Sequence, residues 1–188
     1  PMNPYDSANI DIMNSEIPPM WMDGGSKEFP LGTDNQGRDM LSTMFYGLRT
    51  SIIIGLGAVA IQAAIGIVLG LMAGYLGGKT DAVLMRLADI QFSFPYLMVA
   101  IFMSAIFQVV FGAGSFEQLA IPLLTIIIGL SNWPMFARTI RASVMGEKNK
   151  EYVEAARVIG LPQRIIMFRH ILPNALTSVM VISTIQVA

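Results

Sequence analysis

Polar and apolar residues are segregated along this chain in long blocks. Residues 51–76 run without a charged side chain. No charge falls between Asp89 and Glu117, so 90–112 is a second apolar run, and 118–137, closed by Arg138, is a third. Each is long enough to cross a bilayer as a helix, which takes roughly 20 mostly apolar residues because the backbone must satisfy its own hydrogen bonds in hydrocarbon. A fourth run begins at residue 174 and reaches the end of the chain. The pattern predicts an all-α polytopic membrane protein. Residues 40–188 are its bundle of transmembrane helices, and 1–39 form a loop segment outside the bilayer. The chain opens on Pro1 and stops inside an apolar run, so it reads as a piece of a longer protein.

Composition agrees. Charged residues make up 13% of the 188, about half of the ~25% usual in soluble domains. There is no cysteine, which excludes disulfides and thiolate metal sites. Residues 1–39 are rich in Pro, Gly, Asn and Asp, as an ordered loop is. After them Met40, Leu41, Met44, Phe45 and Leu48 fall on one helical face. That spacing predicts a separate amphipathic helix over 38–49, lying at the outer interface.

The net charge of −1 hides an uneven distribution of basic residues. The first 48 residues carry Lys27 and Arg38 beside seven acids, whereas 138–173 carries seven Lys and Arg. Basic residues mark cytoplasmic loops. The 138–173 loop is therefore expected inside, the 112–117 connection outside, the 77–89 connection inside and the N-terminal segment outside. Three crossings satisfy all four placements.

Within the spans, Gly66, Gly70 and Gly74 recur every four residues, a stripe that lets helix backbones approach closely in lipid. Gln62 lies on the same stripe. It either bonds a neighbouring helix or lines a pathway, and the first is the commoner use of a buried amide. Phe94-Pro95 predicts a kink, which either borders a pore or only sets shape. Asp81 is expected to cap the helix that follows it, and Arg86 to pair with Asp89 at i, i+3. The stretch AGYLGGKTD carries half a phosphate-binding loop, Gly78-Lys79-Thr80. Ala73 stands where that loop needs glycine, and no strand precedes it, so it reads as a polar turn between helices. Fourteen methionines without a His or Cys cluster read as apolar filler, and His170 has no partner at ligand spacing. TDNQGRD lacks the spacing and closing Glu of a calcium loop.

The inner loop, 146–173, reads as a helical hairpin. Tyr152, Ala155, Ala156 and Ile159 fit one apolar face, Gly160 a left-handed cap, and Pro162 the first turn of the next helix. Pro173 then marks entry to the following span. An apolar stripe in a basic, water-facing loop needs a surface to bury against, either anionic lipid or a partner protein.

Glu154-Ala155-Ala156, then Gly160, then Leu172-Pro173, resembles the EAA loop of membrane permeases in bacterial binding-protein-dependent ABC importers. His170 stands where that pattern has Ile. The stretches Pro30–Asp34, Gly37–Asp39, Gly47, Arg49–Ser51, Gly70–Tyr75 and Met85-Arg86 resemble the C-type permeases for dipeptides, oligopeptides and nickel. The resemblance implies a permease fold that lacks its first helix here and stops within the fifth. It implies ATP and magnesium bound by separate cytoplasmic ATP-binding subunits, and no cofactor in this chain. It also implies a homologous second permease and an extracytoplasmic solute-binding protein; membrane lipid surrounds the spans, and nucleic acid has no part. Glu154, Ala155, Ala156, Gly160, Leu172 and Pro173 would couple the permease to ATP hydrolysis done elsewhere, so this chain would not itself be an enzyme. The alternative, an ATP-independent channel or secondary transporter, calls for ionisable residues in mid-span. None of the three complete apolar runs has one.

Overall fold

The computed structural model describes residues 12–187, with backbone only for 113 and 115–118. Residues 1–11 of the expected outer segment, residue 188, and the side chains that open the expected third span lie outside the described set. Within it lie a short 3-10 turn, Ile12–Asn14, and eight α-helices. These are α1 (Met40–Leu76), α2 (Gly78–Phe92), α3 (Tyr96–Phe111), α4 (Ala113–Ser131), α5 (Trp133–Glu147), α6 (Glu151–Val158), α7 (Gln163–Ile165) and α8 (Leu172–Val187). A π-helical stretch, Ile166–Ile171, joins α7 to α8. The chain divides into two units, Pro1–Ile53 and Ile54–Ala188.

In the first unit, polar side chains tie the loop. The Asp34 carboxylate accepts from the backbone N–H groups of Gln36 (2.8 Å) and Arg38 (2.9 Å), and from Arg38 Nε (2.8 Å). Thr33 Oγ1 accepts the Ile17 N–H at 2.9 Å. Asp39 caps α1 by accepting the N–H groups of Leu41 and Ser42 at 3.2 and 3.0 Å.

The separate amphipathic helix expected over 38–49 does not exist. Its residues are the first turns of α1, which continues unbroken through 37 residues. No Pro or Gly stands between Leu48 and Ser51 to stop it, and Thr50 bonds back to the Tyr46 carbonyl at 3.0 Å. At 1.5 Å per residue α1 is about 55 Å long, well beyond a hydrocarbon core of about 30 Å.

Helix α1, which begins in the first unit and runs into the second, and the continuous helix Gln163–Val187 are each long and apolar enough to cross a membrane. The pairs α2–α3 and α4–α5 qualify as bent spans. The bend between α2 and α3 is 74°, at Phe94-Pro95, where proline starts a new helix because it cannot continue the old one. The third expected span, 118–137, bends by 41° at Asn132 and extends as α5 to Glu147. Pro173 does not separate loop from span, since the helix runs through it. A proline cannot donate to the carbonyl four residues back, and the widened π turn directly before it is where the helix absorbs that loss.

The glycine stripe of α1 lies against α5. A methyl group added at Gly66 would overlap Phe136 Cβ, one at Gly70 the Ala137 carbonyl oxygen, and one at Gly74 the Arg141 carbonyl oxygen at 2.8 Å. Higher up, Gly129 of α4 faces Ile61. Positions rise together on both partners, so α1 runs parallel to α4–α5, and α2–α3 must carry the chain back between them. Gln62 sits in this seam. Its Nε2 donates to the Ile128 carbonyl at 3.3 Å, and its Oε1 has no partner. The core beside it holds Leu71, Phe136, Ile140 and Val144, and runs on into the 146–173 loop.

Candidate functional site

The 146–173 loop begins where α5 ends. Lys148 Nζ donates to the Gly74 carbonyl at 3.0 Å, closing the last turn of α1. Helix α6 starts at Glu151, and its first turn carries Glu151 and Glu154 where the helix dipole favours negative charge. Eight residues are too few for a stable isolated helix, so packing must hold it. Val153 is fully buried and Ala156 nearly so, in one cluster with Val144, Ile166, Ile171 and Ala175.

Gly160 adopts φ 85°. Its N–H donates to the Arg157 carbonyl at 3.0 Å, and the Leu161 N–H to the Ala156 carbonyl at 3.1 Å. This crossed pair is the Schellman arrangement, which closes a helix with glycine in the left-handed region. Pro162 then precedes α7 as its N-cap. Tyr152 ties the arms together. Its hydroxyl donates to Glu147 Oε2 at 2.7 Å and accepts from Asn174 Nδ2 at 3.3 Å. Burial, then the bond to the Glu147 carboxylate, push the Tyr152 phenol above its ordinary pKa, so it remains a donor well into the alkaline range.

The single apolar face expected of Tyr152, Ala155, Ala156 and Ile159 is not one face. Tyr152 and Ala156 turn inward beside Val153. Glu154, Ala155, Val158 and Ile159 point outward, with Val158 87% and Ile159 76% exposed. Leu172 is half-buried against the core and Pro173 exposed on the second arm, so Glu154, Ala155 and Gly160 share the outer surface of the elbow while Ala156 and Leu172 anchor it.

Two expected local contacts are replaced by long-range ones. Asp81 does not cap α2, whose N-cap is Gly77 with no side-chain bond. Both Asp81 oxygens instead accept from Arg141, Nε to Oδ1 and Nη2 to Oδ2, the latter at 2.6 Å. Asp89 pairs with Arg138 at 2.6 Å rather than with Arg86. The Arg138 guanidinium also lies 4.6 Å over the Phe92 ring. A side chain free to choose takes a forked guanidinium over a lone backbone N–H, because the bidentate charged pair is the stronger bond. The readable signal was charge at matching depth: two acids at the end of one span and two arginines at the end of the next.

The chain matches the family model for the binding-protein-dependent transport system inner membrane component over residues 66–188. It is 38% identical over 183 residues to the di/tripeptide transport system permease protein DppC of Pseudomonas aeruginosa, covering 97% of this chain and 57% of that one. It is 36% identical over 185 residues to the oligopeptide transport system permease protein OppC of Bacillus subtilis, covering 97% and 55%. The glutathione transport system permease protein GsiD of Pectobacterium atrosepticum is 33% identical over 187 residues, covering 98% and 56%. The chain thus spans a little over half the length of these relatives. With the matched residues taking in the glycine seam, the bent spans and the whole hairpin, the chain belongs to the family of binding-protein-dependent transport system inner membrane components.

Proposed function

We propose that this chain is part of the permease subunit of an ATP-driven importer of short peptides, lining the pathway and coupling it to ATP hydrolysis in cytoplasmic subunits. Relatives named for di- and tripeptides, oligopeptides and glutathione support the substrate class. ATP and magnesium belong to the partner subunits in this reading. A solute-binding protein delivers peptide from outside, and a homologous second permease completes the pathway.

The observation that carries the coupling role is the two-sided hairpin. One side of α6 is locked into the core through Val153 and Ala156, while Val158 and Ile159 stand in the open beside Glu154. Exposed aliphatic side chains on a rigid support suit the groove of a protein partner. A push on that surface passes through Val153, Ile166 and Val144 to α5, because packed cores transmit displacement rather than absorb it.

Gly160→Val tests this in the assembled complex. Space around Gly160 is open, so no neighbour clashes. The cost is backbone strain alone, about 1–2 kcal/mol for a side chain at positive φ. The variant should insert normally, retain its ATP-binding subunit poorly and fail to transport. Glu154→Lys should weaken retention too, whereas a loop that merely rests on anionic lipid would gain from the added charge. Normal retention and uptake in both variants would remove the docking role. Orientation is tested separately by cysteines at Ser26 and Asn149. In intact cells the first should label and the second should not; the reverse pattern inverts the topology.

A further inference from the structure

We propose that the groove between the inner half of α1 and the start of the Gln163–Val187 helix is a binding site for an anionic phospholipid. One acyl chain lies along its walls and the headgroup phosphate rests on Arg164. The inference goes beyond the transport reading and stands on the groove itself.

The groove holds about 540 Å³. Its walls are Val68, Met72 and Leu76 on one side and Met167, Phe168 and Leu172 on the other. The α1 side, residues 67–76, extends about 14 Å at the helical rise, enough to follow much of an acyl chain. Polar groups gather at one end only. Tyr75 stands in the last turn of α1, and Gln163 and Arg164 in the first turn of the facing helix. A cavity that is apolar along its length and polar at one end matches an amphiphile.

Charge selects which amphiphile. Arg138 and Arg141 are each paired with a carboxylate, but Arg164 forms no ion pair among the described residues. A guanidinium beside an apolar groove is matched by an anion with forked oxygens; a phosphodiester supplies them, and in phosphatidylglycerol its charge is not offset by a headgroup ammonium as it is in phosphatidylethanolamine. Basic pockets between spans at the cytoplasmic boundary take anionic headgroups in this way. An apolar helix would fill the walls but offer no anion to Arg164, which is exposed at their end, and that argues for lipid.

The test uses the whole importer complex in bilayer discs of equal phosphatidylglycerol and phosphatidylethanolamine, followed by delipidation and native mass spectrometry. The intact complex should keep a phosphatidylglycerol that Arg164→Gln retains about fivefold less well, equivalent to roughly 1 kcal/mol. Arg164→Lys should keep most of it. Met72→Trp, which fills the groove, should expel lipid of either kind. Equal retention of the two lipids by the unaltered complex overturns the proposal. So does undiminished retention in Arg164→Gln, or a cysteine at Met72 that cross-links to the second permease.

Discussion

The loop before α1 and the hairpin after α5 are both polar in sequence and both ordered, but different forces order them. The first is tied by directional bonds: three to the Asp34 carboxylate, one from Ile17 to Thr33, two to the Asp39 cap. Ile17, Phe29 and Leu31 are only partly buried there, and Met20, Trp21 and Met22 stay outside, with Trp21 67% exposed. The hairpin is held by apolar burial around Val153, Ile166 and Ile171. Bonds to a carboxylate depend on its charge state, whereas apolar contacts depend on volume. The two regions should therefore break under different insults.

The largest difference should come from volume. Ile166→Ala removes a fully enclosed side chain and should cost the hairpin about 2–5 kcal/mol. Hydrogen exchange in the complex should show α6 amides losing protection while residues 33–39 are untouched. Equal loss in both regions would mean that the hairpin is not an independent packing unit.

A smaller contrast separates two glycines of nearly equal φ, Gly32 at 81° and Gly160 at 85°. A methyl on Gly160 meets open space, but one on Gly32 overlaps the Ile17 carbonyl oxygen. Gly160→Ala should cost about 1 kcal/mol, from backbone conformation alone. Gly32→Ala adds overlap with backbone and should cost at least about 2 kcal/mol. Thermal stability of the two single variants, measured side by side, checks the order.

The smallest effect is on pH. Burial pulls the Asp34 carboxyl upward, but the N–H groups of Arg38 and Gln36 and the Arg38 guanidinium outweigh it, leaving its pKa below the ordinary 3.8. A depressed folded pKa stabilises above the unfolded value and ceases to as the acid protonates. Order in residues 33–39 should hold at neutral pH and fade below about pH 4. The apolar contacts of the hairpin do not titrate, so its exchange protection should fall less. Asp34→Asn should remove the acid step, and a step that persists would assign it to another group.

Periodicity and local chemistry made much of this fold readable. Uncharged runs marked α1 and the bent spans, Phe94-Pro95 marked the sharpest bend, and Gly160 followed by Pro162 marked the elbow. The inward face of α6 was harder. Tyr152, Val153, Ala155, Ala156 and Val158 spread over more than half the circumference of α6, opposite Glu154 and Arg157, so spacing alone does not choose which part of that arc is buried. Tertiary packing chose Val153 and Ala156. Asp81 and Asp89 pass over the partners nearest in sequence for arginines some fifty to sixty residues away, a separation at which spacing along one helix carries no signal.

The seam between α1 and α5 also has a mechanical meaning. Where backbones touch through Gly66, Gly70 and Gly74, neither helix can slide along the other without carrying a larger side chain of the same stripe, such as Gln62, onto the contact. The seam is also too tight to admit a solute. Two helices locked in register behave as one spar, and the Lys148 bond to Gly74 pins the end nearest the hairpin. A displacement of the hairpin would therefore turn this spar as a piece, and the bends at Pro95 and Asn132 are the places left to flex.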